Sequence, residues 1–277
     1  MVNKINLLDG GMIFELNKHY NDFGQKAIIE NEKLITSIYN NYINIGCKYI
    51  TTCNYGFIPS NVGDEWYTLT SKSIKIMEQF KSENVKIMGC IPPYFKSYHQ
   101  GDVDSGFIEF YSKLIDIFKG KIDYYLIETN INYKHAEKIV NLIQKKDVLS
   151  KIIVSIYPNE HNKTNHEKYL NLDVYGLFLN CCSFGKMLNY YNKYWKGKLN
   201  NKVFGFYCNK INESDYKSSG NDVKNLLTFL NNDYITKEGI HNFISDNKFR
   251  ILFIGGCCGY GVKEMKELKN ILPIEEN

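Results

Sequence analysis

The chain has 277 residues, 44% of them hydrophobic and 23% charged, with a formal net charge of +4. That is an ordinary soluble globular composition, and its dispersed basic residues exclude a nucleic-acid patch. No run approaches the ~20 apolar residues of a membrane span, and the polar start Met-Val-Asn-Lys-Ile-Asn is no secretory signal. With eight cysteines, this points to a reducing, cytoplasmic setting, where metal binding or catalysis is expected before disulfides.

Short β-rich runs alternate with helical patterns from end to end. Strands are expected at residues 5–8, 49–52, 85–90, 124–128, 152–156, 177–180, 203–207 and 251–254. Helices are expected at 33–45, 69–82, 108–118, 133–143, 186–194, 237–245 and 262–272, with room for only a short one at 166–170. Residues 161–165 read as a loop, and 209–233 as an elaborated loop with a helix near 223–230. Alternating β and α implies a parallel sheet. Eight such units in this length predict a (β/α)8 TIM-type barrel, one domain over residues 1–277. A doubly wound open sheet is the alternative. No Gly-x-Gly-x-x-Gly follows the first strand, so a dinucleotide site has no support.

A barrel of this kind carries its chemistry just after the strands. There the sequence places Asp9-Gly10-Gly11, Thr51-Thr52-Cys53-Asn54-Tyr55, Gly89-Cys90-Ile91-Pro92-Pro93-Tyr94, Glu128-Thr129, Asn180-Cys181-Cys182, Tyr207-Cys208-Asn209 and Gly255-Gly256-Cys257-Cys258-Gly259. Turns collect Asp, Asn, Gly and Thr anyway, so the joint placement is the signal. The last motif puts two thiols on a glycine-flanked turn, and glycine's conformational freedom allows both sulfurs to face one point. Cys181, Cys257 and Cys258 would offer zinc three thiolates and leave a fourth position open, as in catalytic zinc sites. A fourth thiolate from Cys182 would close the site, but the Cys-x-x-Cys spacing usual for structural zinc is absent. The competing reading is that these are small buried hydrophobes, as expected of Cys47, Cys53, Cys90 and Cys208. None of the six histidines stands at a strand end, so a histidine-held metal or a Cys-His nucleophile is not expected.

Taken together, Leu8-Asp-Gly-Gly-Met12, Ile50-Thr-Thr-Cys-Asn-Tyr55, Gly89-Cys-Ile-Pro-Pro-Tyr94, Ile127-Glu-Thr129, Leu179-Asn-Cys181 and Gly255-Gly-Cys-Cys-Gly259 resemble the zinc-dependent homocysteine S-methyltransferases over nearly the whole chain. The resemblance implies a (β/α)8 barrel with zinc on Cys181, Cys257 and Cys258. It also implies a grip on the amino-acid end of homocysteine by Asp9, Gly10, Thr52 and Glu128, with Asn180 just before the first zinc ligand. Departures stand at Ile13-Phe14, at Asn54 where Thr is usual, and at Tyr260-Gly261-Val262.

Zinc deprotonates a bound thiol, whereas a free thiol, with a pKa of about 8.5, is mostly protonated at pH 7. The expected partners are therefore small molecules, homocysteine and a methyl donor. A sulfonium donor, S-methylmethionine or S-adenosylmethionine, is expected because one barrel consumes nearly all the chain, leaving no folate or cobalamin domain. Tyr55, Tyr94, Phe95 and Tyr207 at the strand ends also suit a cation. The alternatives are betaine as donor, another small thiol or selenol as acceptor, a zinc-holding barrel without catalysis, and an unrelated barrel with inert cysteines.

Overall fold

The computed structural model describes residues 4–95, 101–158, 166–212, 227–230 and 234–273. Its eight strands are β1 (Ile5–Leu7), β2 (Tyr49–Thr51), β3 (Lys86–Ile91), β4 (Tyr124–Asn130), β5 (Lys151–Ile156), β6 (Gly176–Asn180), β7 (Val203–Cys208) and β8 (Leu252–Gly256). They form one parallel sheet in the order β1-β8-β7-β6-β5-β4-β3-β2. A parallel bridge between Leu8 and Tyr49 brings the two ends together. There the Asp9 N–H donates to the Tyr49 carbonyl at 3.0 Å and the Lys48 N–H to the Leu7 carbonyl at 3.2 Å. The result is a nearly closed (β/α)8 barrel, as the alternation predicts.

Strand parity sorts the side chains. Tyr124, Leu126, Ile153, Phe178, Val203, Tyr207 and Phe253 point inward and pack with Leu8 and Met88. Their chain neighbours Tyr125, Ile127, Val154, Leu177, Phe204 and Ile254 point outward beneath the helices. Because both faces are buried, the strands read as continuous apolar runs. Gly205 leaves room for the interior ring of Phe178, which a Cβ there would meet at 2.7 Å. At the lower end the Lys151 ammonium lies over the Tyr124 and Tyr175 rings, 5.3 and 5.2 Å from their centroids.

The longer helices are α3 (Glu32–Ile45), α5 (Trp66–Glu78), α6 (Ser105–Phe118), α7 (Tyr133–Lys146), α8 (Phe184–Tyr190), α9 (Lys237–Ser245) and α10 (Val262–Ile271). Several begin at side-chain caps: Asn31, Asp104, Asn132 and Thr236 accept from the backbone of Leu34, Phe107, Lys134 and Gly239. A wider π turn, Tyr191–Trp195, extends α8, and only a 3-10 turn, Lys168–Asn171, fills the fifth crossover. Three short helices are additional to expectation: α1 (Met12–Leu16), α2 (Gln25–Glu30) and α4 (Pro59–Val62). They have four to six residues, too few turns to display a 3.6-residue period. The loop at 161–165 and residues 223–226 of the helix expected at 223–230 lie outside the described residues. Leu227 to Phe229 form a 3-10 turn, and Leu230 bridges Ile211. Among the described residues no helix is long and apolar enough to cross a membrane.

One contact ties the two ends of the chain together over the barrel mouth. Glu15 of α1 accepts the Val262 N–H at the start of α10 at 2.7 Å, placing a carboxylate on a helix N-terminus. Gly261 is required beside it, since a Cβ there would meet Glu15 Oε1 at 1.9 Å. Glu15→Ala should lower stability by about 1–2 kcal/mol, the usual cost of losing a cap. Urea unfolding of the two proteins measures this.

Candidate active site

The expected site residues converge at the C-terminal mouth of the barrel. One cavity of about 120 Å³ there is lined by Asp9, Gly10, Thr52, Glu128, Cys181, Cys257 and Cys258, among others. A water needs roughly 10–15 Å³ on such a measure, so the space suits several waters or a small amino acid.

β1 delivers Asp9. Its carboxyl accepts the Thr51 N–H at 2.7 Å and the Thr51 hydroxyl at 3.1 Å. Burial pushes its pKa up to about 8; the Thr51 hydrogen bonds pull against this and the charge of Glu128 adds to it. Gly10 follows because the chain passes close: a Cβ would meet the Tyr260 carbonyl at 2.3 Å. β4 delivers Glu128 on its inward face, at a register irregularity between Ile127 and Asn130. The next residue, Thr129, takes φ +48°, a left-handed conformation uncommon outside glycine. Burial raises Glu128 to about 7, against the opposing pull of Cys90 and Tyr207.

Cys181 and Cys257 both hang from the end of β7. The Cys181 N–H donates to the Tyr207 carbonyl at 3.2 Å and the Cys257 N–H to the Cys208 carbonyl at 2.7 Å. Cys181 is itself left-handed, with φ +55°, a strained conformation of the kind found at functional sites. Its sulfur lies 2.9 Å from that of Cys257. Hydrogen bonding from Cys257 holds the Cys258 thiol below its ordinary pKa, while the half-buried Cys257, bonded to both other thiols, is pushed well up. Cys182 is fully buried and packs in the layer between sheet and helices, outside this cavity.

Two expected residues sit differently from a simple substrate contact. The Thr52 hydroxyl donates to Asn54 Oδ1 at 2.6 Å and accepts the Cys90 N–H at 2.8 Å. Asn54 in turn donates to the Cys90 carbonyl at 3.0 Å. Thr52 therefore borders the cavity with its hydroxyl engaged, and Asn54, fully buried, clamps the ends of β2 and β3. Asn180 does not line the cavity. Its carbonyl oxygen accepts from Ser155 at 2.8 Å, and its amide donates to the Thr129 hydroxyl at 2.9 Å and to Cys181 Sγ at 3.2 Å. It holds Cys181 from behind.

Of the four expected aromatics, Tyr55 and Tyr207 line the cavity. Tyr94 and Phe95 line a second, smaller one that shares only Glu128 with it. Ile13, Phe14, Phe23 and Cys53 complete the wall. Burial pushes the Cys53 thiol up to about 12, so it presents a neutral surface. No Lys, Arg or His stands among the described lining residues. As they stand, no three His, Cys, Asp or Glu side chains among the described residues form a ready-made metal cluster.

Both cavity carboxyls are raised by folding, so protonation stabilises the folded state. That contribution is full below about pH 4, the unfolded range, and is lost as pH rises through 7 and 8. Metal-free protein should accordingly melt at lower temperature at pH 8.5 than at pH 5.5, and Asp9→Asn should flatten the difference.

The sequence model of the homocysteine S-methyltransferase family matches residues 6–272. The chain belongs to that family. It is accordingly a methyltransferase with homocysteine as its general class of acceptor. Comparison with curated proteins finds no match. Among solved structures, the metallated form of the homocysteine methyltransferase MmuM from Escherichia coli superposes with a TM-score of 0.66 at 18% identity, covering 96% of each chain. The oxidized form of MmuM gives 0.70 at 19% identity, covering 96% of this chain and 95% of the other. At such identities the likeness is one of fold.

Proposed function

We propose that this homocysteine S-methyltransferase makes methionine by zinc-dependent methyl transfer from a sulfonium donor, S-methylmethionine or S-adenosylmethionine. The observation that carries the reading is the make-up of one cavity: the thiols of Cys181, Cys257 and Cys258 beside that of Cys53, and two buried carboxyls, with no cation among its described lining residues. Such a lining suits an ammonium group and a cationic donor and repels an anionic one. Phe14, Phe23, Tyr55 and Tyr207 add aromatic surface, and an aromatic face attracts a cation by about 0.5–2 kcal/mol. The same surface suits betaine, which is the second reading.

The thiol set fits zinc chemically. Three sulfur donors belong to Cys181, Cys257 and Cys258, and Asn180 supplies the hydrogen bond to Cys181 Sγ that outer-shell partners of metal ligands commonly make. Cys181 and Cys257 already bring their sulfurs to 2.9 Å. Cys258 is hydrogen-bonded to Cys257 in the same cavity, so these three thiols would hold the metal. Zinc, when bound, would supply a Lewis acid that holds the homocysteine sulfur as a thiolate at neutral pH.

The chain's own residues then do three things. Asp9 and Glu128 hold the substrate ammonium, fixing where the sulfur points. Asn180 and Thr129 hold Cys181 in its left-handed conformation. The wall of Ile13, Phe14 and Phe23 excludes water from the sulfur and the incoming methyl group, so orientation supplies much of the rate. The departures at Ile13 and Phe14 thus fall on the cavity wall. A methyl-transfer assay across S-methylmethionine, S-adenosylmethionine and betaine tests the reading. Methionine should form with a sulfonium, and turnover with betaine alone would transfer the assignment to the second reading.

A further inference from the structure

Tyr207 carries a hydroxyl with no part in holding the thiols or the two carboxyls of the site. It stands on the inward face of β7, paired across to Asn180 in β6 and to Gly255 in β8. Gly255 has no side chain there, and Leu8 takes its place, since a Cβ on Gly255 would meet the Leu8 Cβ at 2.6 Å. Tyr207 lines the cavity alongside Glu128, Cys181 and Cys257. The residue is only 6% exposed, and its hydroxyl finds no hydrogen-bond partner. Glu128 is near enough for the phenol to hold the carboxyl's pKa down and for the carboxyl's charge to push the phenol's up, and Ser155 lies close as well, yet neither completes a well-formed bond to the hydroxyl. A buried hydroxyl left unsatisfied costs free energy. Such a group aimed into a cavity is therefore waiting for a ligand.

The chemistry of the neighbours says which part of a ligand. A phenol carries one proton and two lone pairs. Once a ligand draws the two groups together, the phenol gives its proton to the carboxylate, the stronger acceptor. Its lone pairs then face the cavity, and with no cation among the described lining residues they await a donor from the ligand. We infer that Tyr207 is a specificity-determining residue that accepts a hydrogen bond from the α-ammonium group of the substrate, completing with Glu128 a receptor that selects amino-acid thiols over thiols lacking the amine. This rests on the reading of the cavity as the homocysteine site. Selectivity of this kind follows from leaving polar groups of the site unpaired when the wrong ligand binds.

The test is calorimetric binding to the zinc-loaded protein, using homocysteine and its desamino counterpart 4-mercaptobutanoate. Native protein that binds no homocysteine would refute the functional reading itself, and the inference with it. If native protein binds, Tyr207→Phe should weaken homocysteine about tenfold, as expected for one hydrogen bond to a charged group. It should leave 4-mercaptobutanoate within about twofold, at the scale of measurement scatter. Zinc content should be unchanged. Because the lost hydroxyl has no partner in the fold, the melting temperature should equal or exceed that of the native protein. Equal weakening of both ligands, or no weakening of either, would overturn the inference, as would a marked fall in melting temperature.

Discussion

Replacing Cys257 with serine should abolish turnover and empty the metal site. Cys257 is the central sulfur of the three, 2.9 Å from Cys181 and hydrogen-bonded to Cys258. A serine hydroxyl is harder, and is not deprotonated at neutral pH, so it is a poor zinc ligand. If the metal contributes several kcal/mol to the transition state, its loss is worth about 10³-fold in rate. Cys181→Ser should behave alike. Cys182→Ser is the control: its thiol packs outside the cavity between sheet and helices, so the variant should keep zinc and most activity. Zinc analysis of the purified variants alongside steady-state rates makes the comparison. Zinc lost from the Cys182 variant and kept by the Cys181 variant would reverse the ligand assignment.

Glu128→Gln should raise the KM for homocysteine by about 10- to 100-fold while zinc content stays unchanged. The substitution keeps size and hydrogen-bonding capacity and removes the charge that would face the substrate ammonium. Hydrogen bonds to charged groups are worth about 1.5–3 kcal/mol, which sets the range. With Glu128 raised to about 7 by burial, protonation in the native enzyme mimics the substitution. The native KM should therefore rise as pH falls from 8 to 6, and the Gln variant should show a shallower rise. An unchanged KM in the variant would assign Glu128 to the barrel's structure alone.

Much of this arrangement is legible in the sequence because a parallel barrel writes its strands as short apolar runs, buried on both faces. The strand ends then mark the mouth, and Asp9, Glu128, Cys181, Cys257 and Cys258 do line one cavity there. What strand ends do not reveal is direction. Tyr94 and Phe95 follow β3 as closely as Tyr55 follows β2, yet they line a different cavity. Phe14 and Phe23 take wall positions instead, carried there by α1 and the turn after it. The left-handed turns at Thr129 and Cys181 leave no mark, because neither residue is glycine. Asn54, read as a departure, proves to be a clamp between strand ends. That role depends on a partner, the Cys90 carbonyl, distant in sequence.

Zinc-dependent transfer from a sulfonium is tested by methionine formation from homocysteine by purified protein, measured with each sulfonium donor before and after metal removal. Turnover is expected with S-methylmethionine or S-adenosylmethionine, with near-complete loss on chelation and recovery with one equivalent of zinc per chain. Turnover that survives metal removal, or no methionine from either sulfonium with zinc bound, would contradict zinc-dependent sulfonium transfer.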